Sequence, residues 1–375
     1  MRYITPYILE DLKKKMVFLG GPRQVGKTTL SKHILEEYFP KKGRYFNWDF
    51  DEDRKNILEK KWSINNNLLI FDEIHKHPRW KSWIKGIYDV SNDSHSFLVT
   101  GSARLDIYQK GGDSLIGRYH YWRLHPFTLD DVPENIDKND AFSRLMRLGG
   151  FPEPFLENDE KNARRWKRNR LNLVIREDIR DLEQIRNIQL LTLFLDELRK
   201  RAGSLITISN IARDIEITPK TAKSWLELLS RMYISFTVLP YTRSLPRAVL
   251  KPAKAYFFDN SDVIGDDGAR FENLVATSLL KRVHFWEDRD GYNCKLHYIR
   301  DKEGREVDFA IIKENEIEEL IEVKLSDSGI SRSLRYYKKR LKPKKTTQIV
   351  ANLKNPYEKD GISVTNPIFY FKDFF

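Results

Sequence analysis

The sequence predicts a multidomain α/β protein that opens with a parallel sheet. Three observations predict this. From residue 1 to about 125, short apolar runs alternate with helical periodicities, as strands joined by crossover helices require. A glycine-bounded octet, Gly21-Pro22-Arg23-Gln24-Val25-Gly26-Lys27-Thr28, stands between the apolar run Met16–Leu19 and the helix-forming stretch Thr29–Leu35. A second apolar run, Asn67–Ile74, ends on two adjacent carboxylates, Asp72 and Glu73.

The octet spells GxxxxGK[ST], a phosphate-binding loop, and it sits between strand and helix as such a loop must. Gly21 and Gly26 permit the tight turn that aims backbone N–H groups at phosphates, and the following helix adds its positive end. A glycine-rich turn alone would not carry this reading; the flanking elements do. Gly21, Pro22, Arg23, Gln24, Val25, Gly26, Lys27, Thr28 and Thr29 are the candidate contacts to ATP. Lys27 faces the β- and γ-phosphates, and Thr28 offers its hydroxyl to Mg²⁺. Asp72 is the second candidate for the Mg²⁺ shell, and Glu73 for orienting the attacking water. A third run, Ser96–Thr100, closes in Thr100-Gly101-Ser102. Thr100 there would touch the γ-phosphate, although the same tripeptide also makes an ordinary strand-ending turn.

Two further strands are expected, Gly43–Asp49 and Tyr119–Leu124. Trp80, Trp83, Ile84, Ile87 and Tyr88 recur at helical spacing and read as core. His75 and His77 follow the second apolar run, but two histidines are too few ligands for a metal site.

Composition narrows the function classes. A chain of 375 residues exceeds one hydrophobic core. No apolar run reaches about 18 residues, so no membrane span is expected. Met1–Pro6 lacks the apolar core of a signal peptide, and a cytoplasmic location is expected. Cys294 is the only cysteine, which excludes an internal disulfide and thiolate zinc. The net charge of +12 points to a polyanionic partner, DNA being the expected one. The charge gathers in residues 161–170 and 338–345. Solvated helix faces remain the alternative for both runs.

From 126 to 200 the pattern is helical, with Leu190, Leu191, Phe194, Leu195 and Leu198 as a buried stripe and a tight loop at Gly149–Pro154. Residues 201–245 read as a winged helix-turn-helix. Ile208–Ile215 is its first helix, Thr218 caps the second and Pro219 takes the first helical position. Lys220, Thr221, Lys223 and Ser224 then stand on the exposed first turn of the recognition-type helix. Such a module serves either as DNA reader or as spacer.

Residues 246–375 hold a second candidate site. Glu306–Ile312 and Leu320–Lys324 are strands joined by a turn through Lys313–Glu316. In that hairpin Asp308, Glu322 and Lys324 can converge, because Glu322 and Lys324 share one strand face. Asp308 and Glu322 would hold Mg²⁺ or Mn²⁺, with Lys324 steadying charge. Glu272, on the helix opened by Arg270–Val275, is a further ligand candidate. An edge hairpin with surface carboxylates would show the same pattern.

Taken together, GPRQVGKT (21–28), LLIFDEIHK (68–76), LVTGSA (98–103), LIGR (115–118), GGFPEP (149–154), RFEN (270–273), REVDF (305–309) and IEVK (321–324) resemble a family of prokaryotic AAA+-type P-loop ATPases with a winged helix and a C-terminal PD-(D/E)XK nuclease-like domain. The resemblance implies a P-loop core of the additional-strand class at 1–125, a helical lid at 126–200, a winged helix at 201–245 and a nuclease-like α/β domain at 246–375. It implies catalytic roles for Glu73, Asp308, Glu322 and Lys324. Arg118 is the candidate arginine finger, with Arg104 second, and a finger acting in trans implies a homo-oligomer. The expected function is an Mg²⁺-dependent ATPase that binds DNA and couples nucleotide state to a metal-dependent nuclease domain. The rival is an ATP-driven switch or scaffold whose terminal domain binds nucleic acid or protein without cutting. A regulator acting through the winged helix alone would leave both carboxylate groups without a task.

Overall fold

The computed structural model describes residues 1–101, 115–175, 187–242, 252–372 and 374, and the chain forms two compact units, Met1–His125 and Pro126–Phe375. Helix α1 (Thr5–Asp11) precedes strand β1 (Met16–Gly20), helix α2 (Lys27–Tyr38), β2 (Gly43–Asn47), α3 (Asp51–Leu58), β3 (Leu68–Asp72), α4 (Trp80–Ser91), β4 (Ser96–Thr100) and β5 (Tyr119–Arg123). The five strands form one parallel sheet in the order β2-β3-β4-β1-β5. β4 therefore lies between the strand that feeds the glycine loop and the strand that ends in Asp72. β1 and β3 are buried at every position, which is why both read as unbroken apolar runs rather than alternating ones. Phe46, Phe71 and Phe97 stack across the same sheet, with Trp80, Ile84 and Ile87 of α4 in the core beside them.

The expected strand through Ile74 stops at Asp72, because Glu73 adopts left-handed backbone geometry (φ 58°) and turns the chain into a short 3₁₀ turn, Ile74–Lys76. β2 likewise stops at Asn47 rather than Asp49.

The second unit opens with helices α5 (Lys138–Leu148), α6 (Pro152–Glu157), α7 (Glu160–Leu173) and α8 (Ile188–Arg199). The loop expected at Gly149–Pro154 is confined to Gly149–Phe151, since Pro152 opens α6 from its favoured first position. Strand β6 (Leu205–Ile206), helices α9 (Ile208–Asp214) and α10 (Pro219–Arg231), and strands β7 (Ser235–Pro240) and β8 (Ala253–Phe257) follow. Thr218 caps α10 through its hydroxyl, which accepts from the Thr221 N–H at 3.1 Å. A long helix, α11 (Asp267–Asp290), leads to β9 (Cys294–Arg300), β10 (Glu306–Lys313) and β11 (Glu316–Lys324). After α12 (Arg332–Leu341) come β12 (Lys345–Val350), β13 (Tyr357–Lys359), β14 (Ile362–Thr365) and α13 (Pro367–Tyr370). These nine strands belong to one sheet, ordered β13-β14-β12-β11-β10-β9-β7-β8-β6. The division expected after residue 125 coincides with the boundary between units. Those at 200 and 245 fall inside the second unit, and the latter separates two strands, β7 and β8, that pair antiparallel.

The basic run at 161–170 lies on α7 and divides by depth. Arg164, Arg165 and Arg168 are at the surface. Lys167 instead donates to the Ser261 carbonyl at 2.5 Å and lies 3.2 Å from Asp262. Arg170 is buried, its guanidinium 3.9 Å from the centre of the Phe151 ring. Asp262 also pairs with Arg199 at 2.5 Å, so part of the run is core rather than surface.

Candidate functional site

Gly20, Asp72 and Thr100 are the last residues of β1, β3 and β4, so the glycine loop and both polar strand ends meet at one edge of the sheet. This is the carboxyl-terminal edge, where open parallel sheets bind ligands. Gly21 turns with φ 134°, and a Cβ there would lie 2.4 Å from the Leu124 carbonyl oxygen, so only glycine fits against the end of β5. Gly26, at φ 97°, caps α2 and leaves the first N–H groups of that helix facing the loop. Val25 is buried and anchors the loop, while Pro22, Arg23, Gln24 and Thr29 complete its course into α2.

Lys27 is 7% exposed, and its ammonium donates to the carbonyls of Gly21 (3.0 Å) and Pro22 (2.7 Å). The Thr28 hydroxyl donates to Asp72 Oδ2 at 2.7 Å. Asp72 Oδ2 also accepts from the Tyr45 hydroxyl at 2.7 Å, and Asp72 Oδ1 accepts from the Thr100 hydroxyl. Tyr45 was not legible as a site residue. Its signal is strand parity: it stands two positions before Asn47, which pairs in register with Asp72. Burial and the Asp72 carboxylate push its phenol well above the usual range. These residues fit Mg²⁺ with ATP. The Thr28 hydroxyl and Asp72 carboxylate form an oxygen pair of the kind a hard cation takes, and Lys27 and the helix start supply positive charge for phosphates.

Glu73 lies beside this cluster. Its carboxylate is 3.4 Å from Lys76 and 3.7 Å from His75 Nε2. Arg118 precedes β5 at the opposite edge of the sheet, where its carbonyl accepts from Met16 N, and its guanidinium forms a two-point pair with Asp89 of the same chain at 2.6 and 3.1 Å. A finger role would require it to exchange that partner. Arg104 and Ser102 lie outside the described residues.

In the second unit, β10 and β11 form the expected hairpin, closed by Glu314 and Asn315, both with positive φ. Asp308 Oδ2 accepts from the Val323 N–H at 2.8 Å, between Glu322 and Lys324. Lys324 Nζ is 2.8 Å from Glu322 Oε1, and Glu322 Oε2 is buried without a hydrogen bond. Burial and the charges of Glu272 and Glu322 push the Asp308 carboxyl well above its usual range. The hairpin thus gathers Asp308, Glu322 and Lys324, with Glu272 of α11 within electrostatic reach.

Sequence reasoning missed the residues that hold this cluster. The Lys254 ammonium, on β8, lies 2.7 Å from Glu306, 3.1 Å from Glu272 and 3.8 Å from Asp308. The Tyr256 hydroxyl donates to Glu272 Oε1 at 2.6 Å. Lys254 and Tyr256 alternate with apolar neighbours in Ala253–Phe257, a period-two signal that was available. Of the three carboxylates expected as metal ligands, Glu272, Asp308 and Glu322, the first two face the Lys254 ammonium in this arrangement. Among the described residues, no group of three or more histidine, cysteine or carboxylate side chains is arranged to hold a metal ion.

Comparison with known proteins bears on the first unit. Residues 13–132 match a family model described as an AAA domain. The coarse reading of the chain as an AAA-type P-loop ATPase rests on this match together with the loop and strand-end geometry. Residues 139–262 and 267–369 match two models described as domains of unknown function, DUF8612 and DUF4143. The first spans helices α5 to α8 together with the α9–α10 pair and strands β7 and β8. An uncharacterized protein of Methanocaldococcus jannaschii is 25% identical over 382 residues, covering 92% of this chain and 82% of that protein. An uncharacterized protein of Mycobacterium tuberculosis is 23% identical over 341 residues, covering 85% and 73%. Among solved structures, the Thermotoga maritima RuvB Holliday junction branch migration motor covers 64% of this chain and 87% of that chain at 18% identity, with a TM-score of 0.30. Among the described residues, no helix is long and apolar enough to cross a membrane.

Proposed function

We propose that the chain is an Mg²⁺-dependent ATPase that binds DNA and couples its nucleotide state to a PD-(D/E)XK nuclease-like terminal domain. The observation that carries the ATPase part is the convergence of Thr28, Thr100 and Tyr45 on Asp72 at the mouth of the glycine loop. Lys27 and the N-terminus of α2 hold the phosphates. Thr28 and Asp72 hold Mg²⁺, which when bound neutralises charge on the phosphate oxygens. Glu73 orients the attacking water, and Thr100, buried against Asp72, reports on the γ-phosphate. Arg118 serves a neighbouring copy as arginine finger.

DNA binding draws support from charge and exposure. Lys220, Lys223 and Ser224 are exposed on the first two turns of α10, as a winged helix that reads DNA requires. Arg165 and Arg168 add positive charge on α7. For the terminal domain, the gathering of Asp308, Glu322 and Lys324 supports the nuclease-like reading. The second reading, a switch or scaffold that does not cut, is favoured by one observation: Lys254 already compensates Glu272, Glu306 and Asp308. Divalent-dependent cleavage of single-stranded, duplex and branched DNA, with and without ATP, separates the two. Cleavage abolished in Asp308→Ala, with ATP hydrolysis intact, supports the nuclease; no cleavage of any form leaves the scaffold.

A further inference from the structure

Four carboxylates gather on and beside the middle strands of the terminal sheet. Glu272 comes from α11, Glu306 and Asp308 from β10, and Glu322 from β11. Groups of this kind stay ionised away from water only when cations or hydrogen bonds compensate them. Glu322 has Lys324 at 2.8 Å and Glu306 has Arg300 at 2.7 Å. Among the described residues, the one side chain reaching three of the four is Lys254, and it is 3% exposed.

Lys254 is not a surface lysine that happens to swing inward. Its strand is held on both sides, the residue pairing in register with Leu205 of β6 and Val238 of β7. Tyr256, two positions on and on the same strand face, donates to Glu272 Oε1 at 2.6 Å. Gly203, in a left-handed turn (φ 73°), packs so close that a Cβ there would lie 3.2 Å from Glu272 Oε1. Glu272 Oε1 therefore takes both the Tyr256 hydroxyl and the Lys254 ammonium, with the Gly203 backbone close beside it. A divalent ion would seek the same oxygens with twice the charge, and two cations at one set of oxygens repel each other strongly.

We propose that Lys254 is the resident counter-cation of this cluster, and that a divalent ion binds Glu272 and Asp308 only by displacing its ammonium. The inference rests on the reading of these carboxylates as metal ligands. It makes Lys254, on β8, the residue that decides whether the terminal site is an ion-pair cluster or a metal site.

The test is Mn²⁺ binding to the full-length chain without nucleotide, followed by the electron paramagnetic resonance signal of the free ion. Lys254→Met should bind Mn²⁺ at least tenfold more tightly than the wild type. That gain should vanish in Lys254→Met/Asp308→Ala and be absent in Lys254→Arg. Circular dichroism checks folding. If Lys254→Met does not fold, Lys254→Met/Glu306→Gln removes one charge of each sign and should show the same gain. An Asp308-dependent Mn²⁺ site of equal affinity in wild type and Lys254→Met overturns the displacement while leaving the metal reading intact. Absence of Asp308-dependent Mn²⁺ binding in every variant overturns both.

Discussion

Thr28 and Asp72 stand 44 positions apart and meet at 2.7 Å, the hydroxyl donating to Asp72 Oδ2. Sheet order makes this meeting possible. β4 separates β1 from β3, so the residue after the loop lysine and the last residue of β3 face each other across the end of the intervening strand, where Thr100 joins them. The Tyr45 hydroxyl closes the group from the edge strand at 2.7 Å. Tyr45→Phe deletes a hydrogen bond to a carboxylate and nothing else. Such bonds contribute about 1.5–3 kcal/mol, so kcat for ATP should fall roughly 10- to 100-fold while nucleotide affinity stays near the wild-type value. Steady-state hydrolysis and fluorescent-nucleotide binding measure the two separately.

Arg118 offers a sharper test because it is already engaged with Asp89. If it completes a neighbour's site, Arg118→Ala should lower hydrolysis by about 10³–10⁵ and spare ATP affinity, whereas Asp89→Ala should leave the rate nearly unchanged. Mixing Arg118→Ala with Lys27→Ala should restore activity, since each supplies what the other lacks. No rescue, with a monomer in sedimentation at saturating ATP, rules the finger out.

For the basic face of α7, the groups to neutralise are Arg164, Arg165 and Arg168, not Lys167 or Arg170, which face inward. Every arginine that no longer neutralises a phosphate should reduce the slope of log K against log salt by about 0.9 for duplex DNA. The triple Arg→Ala variant should therefore bind with a shallower slope on every sequence tried. An unchanged slope makes this stretch a solvated helix face.

The interior behind that face predicts an acid response. Burial alone would raise the Asp262 carboxyl, but Arg199, Lys167 and Arg170 hold it below its usual range. A carboxyl depressed in the folded state stabilises above its unfolded value, about 3.9, and that stabilisation disappears as pH falls through the folded value. Asp262→Asn leaves Arg199 and Lys167 without their buried partner and should cost about 3–5 kcal/mol near neutrality. In denaturant titrations from pH 7 downward, the gap between wild type and variant should hold until about pH 4 and then close. A gap independent of pH would place the stabilisation elsewhere.

What was legible in the sequence follows from how local the cause is. The loop, its strand and helix, the cap at Thr218 and the turn at Glu314-Asn315 are each dictated within a few residues, and the expected elements formed there. The ends of β2 and β3 were overrun, because apolar character continues to Ile74 while Glu73 takes a backbone geometry that its neighbours do not announce. Residues that act through sheet order were hidden. Tyr45 reaches Asp72 from the neighbouring edge strand β2, and Lys254 reaches Glu306 and Asp308 from β8, two strands beyond the β9 that borders β10. The basic run on α7 misled in part for the same reason: only packing shows that Lys167 and Arg170 turn toward Asp262 and Phe151.

The central claim is that Glu73 orients water for ATP hydrolysis at a site that Lys27 builds. The direct measurement is parallel ATP binding and turnover in Lys27→Ala and Glu73→Gln. Lys27→Ala should lose nucleotide binding, because the cation facing the phosphates is gone. Glu73→Gln should bind ATP with wild-type affinity and turn it over at least about 100-fold more slowly, the scale expected for loss of a positioned general base. Hydrolysis by Glu73→Gln at the wild-type rate would contradict the account.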